Sequence, residues 1–188
     1  MDFTRRYDSP IGPLTLVSDG TALTGLLLDD PKDCPIKPKE LPVFRQTVRW
    51  LDIYFSGKEP DFTPPLNLRT GPFRREVWEI MLTIPYGRTM TYGEIATEIA
   101  RRHGLAKMSA QAVGGAVGHN AIPIIIPCHR VIGANGNLTG YGGGIERKIK
   151  LLELEGIDLS RMFIPHCMKR LEKPPGYQYI TRIKKREE

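Results

Sequence analysis

Between Leu14 and Leu28 the apolar positions fall in two short runs, Leu14-Thr15-Leu16-Val17 and Leu23 to Leu28, parted by Ser18-Asp19-Gly20. This pattern predicts two strands joined by a hairpin, because an Asp-Gly pair supplies the turn geometry that hairpins need. Ser9-Pro10-Ile11-Gly12-Pro13 leads into the first strand, and residues 30–42, rich in Pro, Lys and Asp, read as a surface loop. The period then lengthens. Phe44, Thr47, Val48, Leu51, Tyr54 and Phe55 recur at helical spacing until Ser56-Gly57 stops them. Lys58 to Pro72 holds four prolines and little periodicity, which places a domain boundary there.

Beyond it, Phe73, Val77, Ile80, Met81 and Ile84 share one helical face, ended by Pro85-Tyr86-Gly87. Thr91-x-x-Glu94 has the form of a capping box, and Ile95 and Ile99 continue the helix it opens. Ser109 is placed to cap a further helix, Ala110 to Val117, made almost wholly of small residues including Gly114. Two short helices with a tight connection suit a helix-turn-helix, and small side chains let the second approach DNA closely. Ordinary close packing between helices explains the same composition. An apolar run, Ile122-Pro123-Ile124-Ile125-Ile126, then leads as a buried strand into Pro127-Cys128-His129-Arg130-Val131.

That last segment carries the candidate chemistry. A thiol is a strong nucleophile only as thiolate, and a nearby imidazole generates one near neutral pH. Glycines at Gly140, Gly142, Gly143 and Gly144 would let a ligand approach bare backbone. Adjacency by itself is weak support, since neighbouring strand residues point to opposite faces.

Composition narrows the picture modestly. The 188 residues suffice for one large domain or two small ones. The N-terminus lacks a hydrophobic signal region and no apolar run approaches 18 residues, so neither export by that route nor a membrane span is expected. Three cysteines, Cys34, Cys128 and Cys167, form no paired framework and suit a reducing cytoplasm. Of the net charge of +6, residues 161–188 carry +5, from eight Lys/Arg against three Glu. Within them Tyr177, Tyr179 and Ile180 alternate with polar residues ahead of Arg182-Ile183-Lys184-Lys185-Arg186, as in a short strand with a basic end. Both added phosphate contacts and a solvated tail are open readings of this end. Ile157, Leu159, Met162, Phe163 and Ile164 predict that the chain packs on the core before Pro165. No metal is expected. Cys34 is the sole cysteine before Cys128, and the reversed pair Ile126-Pro127-Cys128-His129 and Ile164-Pro165-His166-Cys167 lacks the short ligand spacing of zinc sites.

Taken together, Ala112 to Asn120, Pro123, Pro127 to Val131, Gly140-Tyr141-x-Gly143-Gly144, Lys148 and Leu151-Leu152-x-x-Glu155-Gly156 closely resemble the core of the O6-alkylguanine-DNA alkyltransferases. Ser9 to Gly12, Phe73 to Trp78, Ile84 to Gly87 and Thr91-Tyr92 match further signatures in the same order, so the resemblance spans residues 7 to about 157. It implies an α/β, or α+β, two-domain fold. A small ribonuclease-H-like domain would occupy residues 1–70, a mostly helical winged-helix or helix-turn-helix catalytic domain 71–157, and a basic extension 158–188. The implied activity is a single transfer of an alkyl group from guanine O6, with O4-alkylthymine as a further candidate substrate, to a cysteine of the protein. No cofactor is implied; some relatives hold a structural zinc in the N-terminal domain, but Cys34 alone, with no His nearby, offers no such site here. The partner is double-stranded alkylated DNA, met by a monomer in the cytoplasm.

Carried over residue by residue, the resemblance implies that Cys128 is the alkyl acceptor, His129 its base through a water, and Glu155 the group that orients the imidazole. Asn120 is implied as the hinge between recognition helix and active-site loop, a place where it can also cap the helix. Tyr92 would rotate the phosphate beside the flipped nucleotide and protonate the departing base. Tyr141 would wall the base pocket, with the Cys128 and Val131 carbonyls reading the guanine amine. Lys148 would hold the loop of Tyr141, and Arg130 would form a structural ion pair. Three positions depart from the family. Gln111 stands where an arginine often fills the gap left by the flipped base, Gly142 where many members have serine, and Ala121 where the first proline after the hinge is usual. Two rival classes remain: a damage sensor or winged-helix DNA-binding module without catalysis, which would lack the acceptor cysteine, and a Cys-His hydrolase, which would turn over repeatedly.

Overall fold

The computed structural model describes residues 2–29 and 39–164. Most of the expected loop at 30–42, together with Cys34, and the expected strand and basic end after Pro165, together with Cys167, lie outside the described residues.

Three antiparallel strands, β1 (Phe3–Ser9), β2 (Gly12–Ser18) and β3 (Leu23–Leu28), form a sheet in that order. The hairpin between β2 and β3 is present where the Asp-Gly turn predicts it. Asp19 accepts from the backbone of Thr21 and Ala22 to hold it. The pattern in the sequence missed β1. Only Thr4 of its seven residues is buried, so this edge strand shows almost no apolar alternation. The Pro-rich stretch after α1 (Pro42–Phe55) runs back along β3, where Leu23 pairs with Leu66.

Helix α1 begins two residues ahead of Phe44, with Pro42 in the first turn, where its missing N–H costs nothing. It buries Phe44, Thr47, Trp50, Leu51 and Tyr54. Helix α2 (Pro72–Leu82) buries Val77, Trp78, Ile80 and Met81, and the Trp78 indole donates to the Ala116 carbonyl, tying α2 to α4. Thr91 and Glu94 close a full capping box on α3 (Tyr92–Arg102), and Ser109 caps α4 (Ala110–Gly118). Both caps follow the sequence reading. A single apolar cluster unites residues before and after the Pro-rich stretch, from Leu14 and Leu26 to Ile126 and Leu151.

Residues 122–126 do not form the expected strand. Ile124 takes a positive φ of 75°, Ile126 N–H returns to the Ile122 carbonyl, and Pro123 and Ile126 bridge. Prolines at 123 and 127 remove the donors that a central strand needs, so the buried apolar run folds as a compact turn. A 3-10 turn at Cys128–Arg130 follows, then β5 (Val131–Ile132), paired in parallel with β4 (Met90–Thr91). Helix α5 (Ile145–Leu154) ends at Gly156, whose φ of 72° is the left-handed cap that glycine adopts freely. That ending places Glu155. The chain past it packs on the core in part, for the Phe163 side chain expected there is exposed and Ile164 is not in the apolar cluster. Leu159, Ile157 and Met162 join Ile132, Leu138 and Leu152 in a second apolar cluster, and Phe163 exchanges backbone hydrogen bonds with Gly136 and Leu138.

Candidate active site

Cys128 and His129 occupy successive positions of the 3-10 turn, where side chains diverge by about a third of a turn. Cys128 is buried at the back of a pocket of about 240 Å³. Val117, Asn120 and Tyr141 line the pocket with it, bare backbone at Gly118, Gly142 and Gly143 adds a polar rim, and Leu26 to Leu28 of β3 close one side. Burial pushes the Cys128 thiol up from its ordinary value, against the smaller opposing effects of the Asn120 amide and the Lys148 charge. The resting sulfur is therefore a protonated thiol that needs a base.

His129 is fully buried, with Nε2 2.6 Å from Glu155 Oε1 and 3.2 Å from the Tyr54 hydroxyl. Its Nδ1 is buried and has no hydrogen-bond partner among the described residues. Burial depresses the imidazole below its ordinary value, outweighing the pull of Glu155 the other way, so the ring is neutral near pH 7 and able to accept a proton. Burial alone would raise Glu155. The hydrogen bonds and charges of His129 and Arg130 overcome that and bring it down to about 2. Arg130 Nε donates to Glu155 Oε2 at 2.8 Å and Nη1 to the Ile84 carbonyl at 2.7 Å, the ion pair expected of it. The Gly87 N–H completes the carboxylate's partners at 3.2 Å.

Asn120 donates to the Ile126 carbonyl at 2.7 Å and accepts from Ile122 N–H at 3.0 Å. It stands directly after α4 and its His119 cap, so one side chain joins that helix to the turn before Cys128. Lys148 is fully buried. Its ammonium donates to the carbonyls of Val131 at 2.6 Å and Thr139 at 3.2 Å, bracing the segment that carries Tyr141. Val131 itself is buried and is not among the residues lining the pocket. Its carbonyl already takes the Lys148 ammonium, and the Cys128 carbonyl takes the Val131 N–H. Tyr92 opens α3 and donates weakly to the carbonyls of Thr139 and Gly140 at 3.3 and 3.4 Å. Burial, then the nearness of Cys128, push its phenol up to about 12, which keeps the hydroxyl proton in place at neutral pH. The Tyr141 hydroxyl is buried and has no hydrogen-bond partner among the described residues. Gln111 is exposed in the first turn of α4, and the half-buried Gly114 faces the Tyr92 ring.

Two contributions escaped sequence reasoning. Tyr54 was assigned only to the core face of α1, and Leu26 to Leu28 only to a strand. A tyrosine on a buried helix face is itself a signal, because its hydroxyl must find a partner inside the protein. Nothing in the spacing says that the partner is Glu155, 101 residues on. Among the described residues no group of three or more His, Cys, Asp or Glu could hold a metal ion, and no helix is long and apolar enough to cross a membrane.

Residues 72–157 match the DNA-binding domain of 6-O-methylguanine DNA methyltransferase, and residues 3–68 match its ribonuclease-like domain. A methylated-DNA–protein-cysteine methyltransferase of Mycobacterium tuberculosis is 51% identical over 154 residues, covering 80% of this chain and 90% of the relative. The crystal structure of the O6-methylguanine methyltransferase of that organism superposes with a TM-score of 0.72 at 47% identity, over 90% of this chain and 98% of the other. A structure of the Mycobacterium tuberculosis protein in complex with DNA gives a TM-score of 0.71 at 49% identity, over 85% of this chain and 94% of the other.

Proposed function

This chain belongs to the 6-O-methylguanine DNA methyltransferase family, and we propose that it repairs alkylated DNA by moving an alkyl group from guanine O6 onto its own Cys128. The observation that carries the assignment is the buried Cys128 thiol at the back of a pocket, beside an imidazole that Glu155 orients and whose Nδ1 is left for a proton.

The thiol gives its proton to His129 Nδ1 through one bridging water, since successive side chains of the 3-10 turn diverge. The sulfur then attacks the alkyl carbon, and a carbon–sulfur bond forms as the carbon–oxygen bond breaks. The electron pair stays on guanine, which takes a proton from the Tyr92 hydroxyl, and the proton held by His129 is then returned through solvent to the Tyr92 oxygen, so that both side chains end neutral. Glu155 keeps its hold on Nε2 and stabilises the imidazolium that results, the role of the third member in a nucleophile–base–orienter set. The Cys128 and Val131 carbonyls can meet the guanine amine only through their second lone pair, because each already accepts one donor. The Gly142 N–H supplies a backbone donor at the pocket rim where relatives with serine have a hydroxyl.

Reaching a stacked base requires flipping it out of the duplex, at a cost of a few kcal/mol. The exposed small-residue face of α4 is the surface we assign to DNA, with Asn120 transmitting its position to the pocket and Gln111 placed to fill part of the vacated stack. Residues 1–70 and 71–157 act as a supporting and a catalytic part, with 158–188 as an extension, and the protein works as a monomer in the cytoplasm at the DNA. A damage sensor without chemistry is disfavoured by the presence of Cys128.

A thioether is a poor leaving group, so each molecule should act once. With lesions in excess, the number repaired should equal the number of protein molecules, and continued clearing beyond one per molecule would point to a hydrolase instead. If Gln111 fills the stack, Gln111→Ala should slow transfer from duplex DNA more than from free O6-methylguanine, where nothing is flipped. Gln111→Arg should tighten duplex binding through its added charge. Equal losses for Gln111→Ala on both substrates would place the residue in the architecture of the helix instead.

A further inference from the structure

We infer that Tyr54, brought into the site by α1, is a positioning residue for the transfer. It donates its hydroxyl hydrogen to Glu155, turns its lone pairs toward the His129 Nε2–H that the carboxylate holds, and tempers that carboxylate so that the imidazole stays free to act as base through Nδ1. The inference rests on the proposed role of His129 and deepens it.

The hydrogen assignments follow from the distances. Nε2 lies 2.6 Å from a carboxylate oxygen, a contact that two lone pairs could not sustain, so Nε2 carries a hydrogen. The Tyr54 hydroxyl lies 2.7 Å from the same oxygen and 3.2 Å from Nε2. Nε2–H cannot accept from it, so the hydroxyl donates to Glu155 and turns its lone pairs toward Nε2–H. Histidine has then committed one nitrogen and leaves the other basic.

The hydroxyl is held rigidly. The Tyr54 ring is fully buried, stacked on Trp50 at 5.2 Å, and meets Tyr86 and His129 edge-on at 6.1 and 6.3 Å. Burial, and after it the Glu155 charge, push the phenol well above its ordinary value, so Tyr54 remains a donor across the working pH range. Among the described residues, the charged and titratable groups facing the His129–Glu155 pair are Arg130 of the 3-10 turn, Lys148 of α5, Tyr86 of the loop after α2, and Tyr54. Among these Arg130 and Tyr54 donate to Glu155, and Tyr54 alone comes from the part of the chain that precedes the DNA-binding match.

A charge-assisted hydrogen bond to a carboxylate weakens its basicity. Tyr54→Phe removes the donor with little change in shape. The less solvated Glu155 then stabilises the imidazolium more strongly, and His129 is held protonated to higher pH. Transfer from free O6-methylguanine by the full-length variant should have its acid limb displaced upward by about one pH unit, with a rate about tenfold lower on that limb and close to the unaltered protein's well above it. A titration of His129 by 15N-histidine NMR, with no substrate present, should move the same way. That readout separates failure of the Tyr54 role from failure of the transfer chemistry. A purely structural effect lowers the rate equally at every pH, which would overturn the inference, as would an unmoved or downward-shifted titration. Should Tyr54→Phe fold poorly, the unaltered chain still decides. The His129 signals, assigned by their loss in His129→Gln, should report the Nε2–H tautomer, and an Nδ1–H tautomer would overturn it.

Discussion

Cys128→Ser should bind alkylated duplex DNA as the unaltered protein does and transfer no alkyl group to itself. Serine keeps the size and the hydrogen-bonding reach of the side chain at the back of the pocket. It replaces a soft sulfur, whose proton a neutral imidazole can take, with an alcohol far too weakly acidic for that base to ionise. A gel-shift titration with unmodified and O6-methylguanine duplexes, followed by counting of residual lesions, reads both halves. Lesion removal by the serine variant would displace Cys128 from the mechanism.

Glu155→Ala should have the next largest effect, and on two quantities at once. The carboxylate accepts from His129, Arg130, Tyr54 and the Gly87 N–H, so its removal leaves a buried guanidinium and two further buried donors without their anion. Breaking a buried ion pair from one side costs about 3–5 kcal/mol, which urea unfolding should register. Transfer from free O6-methylguanine should also slow, by about a hundredfold or more, since an unoriented base loses most of its advantage. Unchanged stability in urea would mean that Arg130 finds another partner and that the network is not built around Glu155. The same network contributes to the stability of the fold in acid. The folded-state value of about 2 lies below the ordinary 4.5, so the stabilisation is fully present above about pH 4.5 and is lost as pH falls toward 2. Glu155→Gln should flatten that part of the acid-unfolding curve.

Much of this arrangement is written locally. The Thr91–Glu94 box, the Ser109 cap, the Asp19-Gly20 turn and the face of α1 each depend on residues within a few positions of one another, and each forms where the pattern predicts. What the pattern could not reveal depends on distant partners or on backbone demands that mimic something else. Strand β1 exposes most of its side chains, so no alternation marks it. Residues 122–126 have the apolarity of a central strand and fold as a turn, because two prolines and the side chain of Asn120 redirect the backbone. At the site, the resemblance of the Cys128-His129 segment to a known family is what points to the roles proposed for Cys128, His129 and Glu155. The wall from Leu26 to Leu28 arrives from β3, and the Tyr54 hydroxyl from α1, 75 residues before His129 and 101 before Glu155. Only the packing of the two halves on one core brings the first to Cys128 and the second to His129 and Glu155.

The central claim is that the alkyl group leaves guanine O6 and stays on the sulfur of Cys128. Incubating the full chain with a duplex carrying one O6-methylguanine, then digesting the protein and mapping its peptides by mass, tests it most directly. The account predicts a gain of one CH2 unit confined to Cys128, with unmodified guanine left in the strand. A methyl group found on any other residue, or a repaired duplex beside unmodified protein, would contradict it.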